Sequence, residues 1–176
     1  LEVNNTAGVT MLGNHTINNN LALTNGSLLL NNNILTLNGP VTGTGSLSGS
    51  ATSALVIGGT AGSINFNQTS AATRSLNNLT LTSGASATLG NALDIYGTVA
   101  LTSASLNLNA KNLTLKSTAT NTARIANLTG SSLTGGTNVT MERFIKLRTP
   151  GTGAGAANYG RAYRLLCPTV NTPTSI

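Results

Sequence analysis

Short triplets of the form apolar–x–apolar, where x is any residue, recur along most of this chain. In its second half they begin six to eight residues apart, at Leu79, Ala87, Leu93, Val99, Leu106 and Leu113. Alternation with a period of two predicts β-strands that bury one side. Because turn-forming pairs such as Asn-Gly, Ser-Gly and Asn-Asn separate the triplets, each strand is predicted to be only about three to five residues long.

Every third triplet recurs after 19 or 20 residues, as from Leu79 to Val99 and from Leu93 to Leu113. Three evenly spaced strands per unit of about 20 residues predict a coil that turns three corners and stacks on the previous coil. The predicted fold is therefore all-β, a parallel β-helix (β-solenoid), with right-handed winding as the default. Leu, Ile, Val and Ala are expected to fill its interior, and Thr, Asn and Ser to form outward ladders.

A longer repeat overlies this short period. Residues 21–39 and 99–117 are identical at ten of nineteen positions, with an offset of 78 residues. We interpret this offset as four coils of about 19.5 residues each. Over residues 40–78 the spacing widens near Gly58-Gly59 and near Gln68–Ala72, which predicts longer corner loops at both places.

The pattern changes after residue 138. We expect a solenoid over 1–138 and a separate strand–loop–strand segment over 139–176. In that segment Val139–Leu147 is predicted to be a longer strand, and a glycine-rich loop separates it from a second strand at Arg161–Leu166. Because the open end of a solenoid exposes unpaired strand edges, the segment is predicted to be either a cap or a junction to a following domain.

The composition disfavours several classes of function, above all enzymes that use acid–base catalysis. Only 7% of the 176 residues are charged, against about 25% in an average globular domain. Acid–base chemistry has few candidates: the chain has only three acidic residues, Glu2, Asp94 and Glu142, and one histidine, His15. No catalytic, cofactor-binding or metal-ligating residues are predicted, and the chain is not expected to be an enzyme. No apolar run is long enough for a membrane-spanning helix, so direct membrane insertion is not expected.

The net charge of +6 comes largely from cations in the second half. Few aromatic residues accompany them, so nucleic-acid binding is not expected. Most of the chain's aromatic residues lie near its C-terminus beside arginines, and exposed arginine and aromatic side chains are typical of protein contacts. The candidate partner-contact residues are therefore Arg143, Phe144, Tyr159, Arg161, Tyr163 and Arg164.

Several phrases resemble a known group of proteins. They are Leu76-Asn-Asn-Leu-Thr-Leu81, Asn112-Leu-Thr-Leu115, Val139-Thr-Met-Glu-Arg-Phe-Ile145 and Gly160-Arg-Ala-Tyr-Arg-Leu-Leu166. The chain resembles the repetitive β-solenoid regions of secreted Bacteroidota cell-surface proteins, many of them cargo of the type IX secretion system. The resemblance implies a secreted, cell-surface location within a larger multidomain chain. It implies no catalytic residues.

The main hypothesis is a non-enzymatic structural or adhesive surface segment, a stiff spacer that presents Thr/Asn/Ser faces. An ice-binding or glycan-binding solenoid is the alternative, and a polysaccharide-cleaving β-helix enzyme is less favoured because paired carboxylates are missing. The expected partners are further domains of the same parent chain or neighbouring copies, with secretion or outer-membrane machinery and surface glycans as further candidates.

Overall fold

A computed structural model of the chain describes residues 1–126, 128–136 and 139–145. These residues form twenty short strands and no helix. Successive strands occupy three faces in turn, and all pairing between strands is parallel, from one coil to the next. The twenty strands therefore make about six coils, and the predicted parallel β-helix is confirmed.

Each face collects one strand from each coil. The first face contains β1 (Glu2–Asn4), β4 (Leu21–Asn25), β7 (Val41–Thr42), β10 (Thr60–Ile64), β13 (Ser86–Leu89), β16 (Ser105–Asn107) and β19 (Ser132–Thr134). The second contains β2 (Val9–Thr10), β5 (Ser27–Leu29), β8 (Ser46–Ser48), β11 (Ser75–Leu76), β14 (Leu93–Ile95), β17 (Leu113–Leu115) and β20 (Val139–Met141). The third contains β3 (His15–Ile17), β6 (Ile34–Leu37), β9 (Ala54–Ile57), β12 (Asn78–Leu81), β15 (Thr98–Leu101) and β18 (Arg124–Ile125).

The core is a set of apolar columns that run along the solenoid. On the third face, Leu35, Leu55, Leu79 and Val99 occupy equivalent positions in four successive coils, and each is 0% exposed. Side chains on either side of them along the strand point outward, because alternate residues of a strand face opposite sides. The predicted division into inward Leu, Ile, Val and Ala and outward Thr, Asn and Ser is confirmed.

The outward polar residues form the expected ladders. The Ser27 and Ser46 hydroxyls lie 2.8 Å apart, and Asn38 Nδ2 donates to Asn18 Oδ1 at 2.8 Å. These partners are 19 and 20 residues apart, so each hydrogen bond joins one coil to the next. The outer side chains therefore add links along the axis to those of the backbone.

Most coils keep the predicted length, and two carry insertions. Leu79 pairs with Val99 and Leu93 with Leu113, as the spacing predicts. Leu55, however, pairs with Leu79 after 24 residues, and Val99 with Ile125 after 26. The extra residues form two loops, Asn67–Arg74 before β11 and Lys116–Ala123 after β17. The predicted loop at Gln68–Ala72 is thus confirmed, whereas Gly58-Gly59 is only a two-residue corner between β9 and β10.

The interpretation of the 78-residue offset as four coils is wrong. Leu21 begins β4 on the first face, whereas Val99 lies in β15 on the third face. The strand β15 is the eleventh strand after β4, whereas four complete coils would lead to the twelfth. The Asn67–Arg74 loop accounts for the difference, because it uses about as many residues as one strand and corner.

The solenoid continues past residue 138. Val139–Met141 forms β20, which pairs in parallel with β17, so these residues add a strand to the second face. The strand ends at Met141, and Glu142–Ile145 has no strand structure, so the predicted strand Val139–Leu147 is too long. Leu1–Ile145 forms one compact unit. The division into 1–138 and 139–176 stays a prediction, because the chain beyond Ile145 lies outside the described residues.

Two glycines at corners of the solenoid differ in how closely another coil approaches them. Gly26 has φ +75°, and a Cβ built on it would lie 1.8 Å from the Asn5 carbonyl oxygen of the preceding coil. Gly84 has φ +78°, but nothing lies within 4 Å of its Cβ position. Gly26 therefore combines a left-handed backbone with a close approach, whereas Gly84 has the left-handed backbone alone.

We predict that Leu55→Ala lowers the free energy of unfolding by about 2–5 kcal/mol, because it opens a cavity in the middle of an apolar column. The neighbouring substitution Val56→Ala changes an outward position and should cost less than about 1 kcal/mol. Urea denaturation followed by circular dichroism measures both. Equal costs for the two variants would contradict the assignment of inward and outward residues.

The glycine corners give a graded prediction. Gly84→Ala should cost about 1–2 kcal/mol for the left-handed backbone alone, and Gly26→Ala should cost more because of its clash with the Asn5 carbonyl. Gly13→Ala, with nothing within 4 Å of its Cβ position, is the control and should be neutral or slightly stabilising. Urea midpoints for the three variants should be highest for Gly13→Ala and lowest for Gly26→Ala. A cost of Gly26→Ala no larger than that of Gly84→Ala would argue against the stacking of the first two coils.

Candidate functional site

Charged side chains gather on the outer side of the second face. Asp94 lies in β14 between Leu93 and Ile95, which are both 0% exposed and point inward. Strand alternation therefore places the Asp94 carboxylate on the outer side. The same surface carries Arg74, which directly precedes β11, and Tyr96, Lys116 and Glu142, which directly follow β14, β17 and β20. We call these five residues the charged face.

Asp94 is a buried ion-pair partner. Its residue exposure is only 3%, and Arg74 Nε donates to Asp94 Oδ2 at 3.1 Å. Arg74 is the last residue of the first inserted loop, so the loop delivers the guanidinium that neutralises this carboxylate. A buried carboxylate is costly without a partner, which makes the pair a structural requirement of this coil. Asp94 therefore faces the outer side of its strand but is paired there with Arg74.

Lys116 and Glu142 form the second pair. Backbone pairing continues past the strands, because Glu142 N–H donates to the Leu115 carbonyl at 2.9 Å. This places Glu142 one coil from Lys116, whose Nζ donates to Glu142 Oε1 at 2.5 Å. The hydrogen bond from Lys116 lowers the pKa of Glu142, and the bond to Glu142 raises the pKa of Lys116.

Glu142 therefore pairs with Lys116 from another coil and not with Arg143, its neighbour in the sequence. Arg143 Nη1 instead donates to the backbone carbonyl of Glu142 at 2.8 Å. The Phe144 N–H donates to Ser117 Oγ at 2.9 Å, and the Phe144 residue is 47% exposed. Two candidate partner-contact residues, Arg143 and Phe144, thus lie next to the charged face and are accessible. Tyr159, Arg161, Tyr163 and Arg164 lie outside the described residues.

The second inserted loop, Lys116–Ala123, is held firmly at the edge of the charged face. Ser117 and Thr122 form an antiparallel bridge with their hydroxyls 2.8 Å apart. Asn121 Nδ2 donates to the Tyr96 carbonyl at 2.6 Å, and this hydrogen bond joins the loop to the preceding coil. The loop therefore supplies a fixed anchor, Ser117 Oγ, for the backbone that leaves β20.

The acidic groups of the charged face can be compared with those that metal binding and acid–base catalysis need. Among the described residues, no three of His, Cys, Asp and Glu lie together in a group that would hold a metal ion. Both carboxylates of the charged face are engaged by cations. The lowered pKa of Glu142 is the opposite of what a general acid needs, since that role requires a carboxyl that stays protonated near neutral pH.

A scan against protein-family models found no family that matches this chain, and searches of curated proteins and of solved structures found no relative. None of the described residues belongs to a helix that could cross a membrane.

We predict that Lys116 and Glu142 are coupled by about 0.2–1 kcal/mol in a double-mutant cycle of Lys116→Ala and Glu142→Ala, the range for exposed pairs. Because folding lowers the Glu142 pKa, its contribution is present above the unfolded value of about 4.3 and is lost as the pH falls through the folded pKa. Because folding raises the Lys116 pKa, its contribution is present below about 10.4 and is lost as the pH rises through the folded value.

Urea unfolding at pH 3, 7 and 9 measures this coupling. It should be present at pH 7 and 9 and weaker at pH 3, because the Glu142 carboxylate is protonated as the pH falls through its lowered pKa. Lys111→Ala, combined with Glu142→Ala, is the control pair and should show no coupling. A coupling of the same size at pH 3 as at pH 7 would mean that the two side chains interact by packing and not as an ion pair.

Proposed function

We propose that this chain is a non-enzymatic structural and adhesive segment of an extracellular cell-surface protein, a stiff β-solenoid spacer. One observation carries the proposal: the outer side chains bond to their equivalents in the next coil. Besides the Ser27–Ser46 and Asn18–Asn38 contacts, Ser132 Oγ donates to Ser105 Oγ at 3.0 Å. Hydrogen bonds between the side chains of successive coils stiffen the solenoid. The hydroxyl and amide groups that make these bonds are not available for catalysis.

The non-enzymatic part of the proposal is supported by the state of the acidic groups. A glycoside-cleaving site needs two carboxyl groups on either side of a substrate groove, one of them protonated. Here Asp94 and Glu142 are each neutralised by a cation, and Glu142 is shifted toward the ionised form. One surface groove has residues such as Gly84 and Ser132 in its lining, and another has residues such as Thr10 and Ser50. Neither lining includes an acidic residue.

The location and partners are part of the same proposal. A sparsely charged surface rich in Thr, Asn and Ser suits the outside of a cell, and the resemblance of several phrases to secreted Bacteroidota surface proteins supports the same location. We propose that the chain contacts further domains of its parent protein or neighbouring copies, with Arg143 and Phe144 among the contact residues. Surface glycans are the adhesive partners, and type IX secretion is the proposed export route.

A spacer should tolerate the loss of a whole coil. Deletion of Leu93–Asn112 removes 20 residues and brings Leu113 into the place of its register partner Leu93. We expect the shortened parent protein to fold, to be displayed on intact cells and to adhere as the full protein does, with the rod shorter by about 4.8 Å. Deletion of Leu93–Thr102 is the matched control, since half a coil puts the inward columns out of phase and should prevent folding.

Antibody labelling of intact cells and cell adhesion measure the result. If the one-coil deletion folds and is displayed but no longer adheres, function resides in that coil and not in a spacer. Degradation of any polysaccharide by the purified wild-type chain would overturn the non-enzymatic assignment.

Ice binding is the alternative that one feature favours. Thr16, Thr36 and Thr80 share one outward column of the third face, although Val56 and Ala100 occupy the same column. The spacer function predicts no thermal hysteresis in solutions of the chain. Measurable hysteresis that Thr36→Lys abolishes would replace the spacer by an ice-binding function.

A further inference from the structure

A groove crosses three coils on the outer side of the second face. Its volume is about 310 Å³, and it is lined by Thr10, Leu29, Asn31, Ser48, Gly49 and Ser50. Thr10, Leu29 and Ser48 are register partners on β2, β5 and β8, so they lie in one outward column. This volume reaches the lower end of the range for small-molecule sites.

The Ser48 hydroxyl is the unusual group in this groove. Ser48 is only 7% exposed, and Ser48 Oγ makes no hydrogen bond within the part of the chain that the structure describes. No fully buried side-chain polar atom of the described residues lacks a partner, so Ser48 Oγ keeps its small exposed area toward the groove. A largely buried hydroxyl without a partner is unfavourable unless a ligand or water bonds to it.

Two further polar side chains face the groove without an internal partner. Neither the Thr10 hydroxyl nor the Asn31 amide takes part in a side-chain hydrogen bond within the described residues. The Asn31 backbone has φ +54° and is fixed by Ser50 Oγ, which donates to the Asn31 carbonyl at 2.7 Å. The Ser50 hydroxyl is occupied by this bond and by its contact with Thr52.

The lining defines the chemistry of a ligand. It contains no charged side chain, which favours a neutral ligand. Leu29, which is half-buried, gives an apolar floor in the middle of the column, and the free groups of Thr10, Asn31 and Ser48 surround it. Coils are about 4.8 Å apart, so these groups match hydroxyls spread over one sugar ring, and Leu29 matches the C–H side of that ring.

We propose that this groove binds one residue of a neutral saccharide, with Ser48, Asn31 and Thr10 as hydrogen-bonding groups and Leu29 as the apolar contact. The proposal rests on the proposed function in one respect, the adhesive role of the outer faces, and it names the site and the ligand class for that role.

The groove on the first face does not share this feature. It has a volume of about 430 Å³ and runs along Ser86, Ser105 and Ser132. Ser132 donates to Ser105, and Ser131 Oγ donates to the Leu101 carbonyl at 3.0 Å. Because these hydroxyls have hydrogen-bond partners within the chain, this groove supplies the matched control.

The test is an NMR titration of the ¹⁵N-labelled full chain with cellotetraose, chitotetraose and mannotetraose, and with anionic tetragalacturonate as a fourth probe. At least one neutral probe should shift the amide signals of Thr10, Asn31 and Ser48, and tetragalacturonate should bind more weakly. Ser48→Ala should weaken binding at least about tenfold, because it removes the partially buried hydroxyl. Ser105→Ala, on the first face, should leave binding unchanged.

Stability separates a binding role from a structural one. Ser48→Ala should fold with an unchanged or higher urea midpoint, since the hydroxyl has no partner in the chain. A clearly lower midpoint would make Ser48 a structural residue and overturn the proposal. No shift with any neutral probe, or binding that Ser48→Ala does not weaken, would also overturn it, as would tighter binding of tetragalacturonate. The one-coil deletion leaves this groove intact, so failure here and failure of the spacer function are distinguishable.

Discussion

The parallel register between successive coils is the constraint on which the rest of the structure depends. It places apolar residues of each coil directly above those of the previous one, as with Leu35, Leu55 and Leu79. The same register brings like polar side chains together on the outside, where Ser27 meets Ser46. A shift of one residue would exchange the two sides of a strand, so burial of the columns holds the register in place.

The two inserted loops change the solenoid only where they occur. The Asn67–Arg74 and Lys116–Ala123 loops lengthen two coils, yet the six-stranded third face runs without a break past both. Each loop also contributes to a charge pair, through Arg74 with Asp94 and through Lys116 with Glu142. Four charged residues of the described part, Arg74, Asp94, Lys116 and Glu142, are therefore paired beside the two insertions.

Much of the fold was predictable from the residues, and the charge pairs were predictable only in part. Arg74 and Asp94 are 20 residues apart, one regular coil, so the period alone could have paired them. Lys116 and Glu142 are 26 residues apart, and no period in the sequence contains that separation. No feature of the sequence predicted the groove at Ser48. A serine without a hydrogen-bond partner cannot be distinguished in the sequence from the other outward serines of the chain.

The sequence by itself determined the strand period, the parallel solenoid and the identity of inward and outward positions, since alternation and spacing are local properties of the chain. It did not determine which face each strand occupies. Residues 21–39 and 99–117 share ten of nineteen positions, yet Leu21 and Val99 begin those blocks on different faces. The three faces accept the same apolar pattern, and only the stacking of whole coils, with the length of each inserted loop, decides where a strand lies.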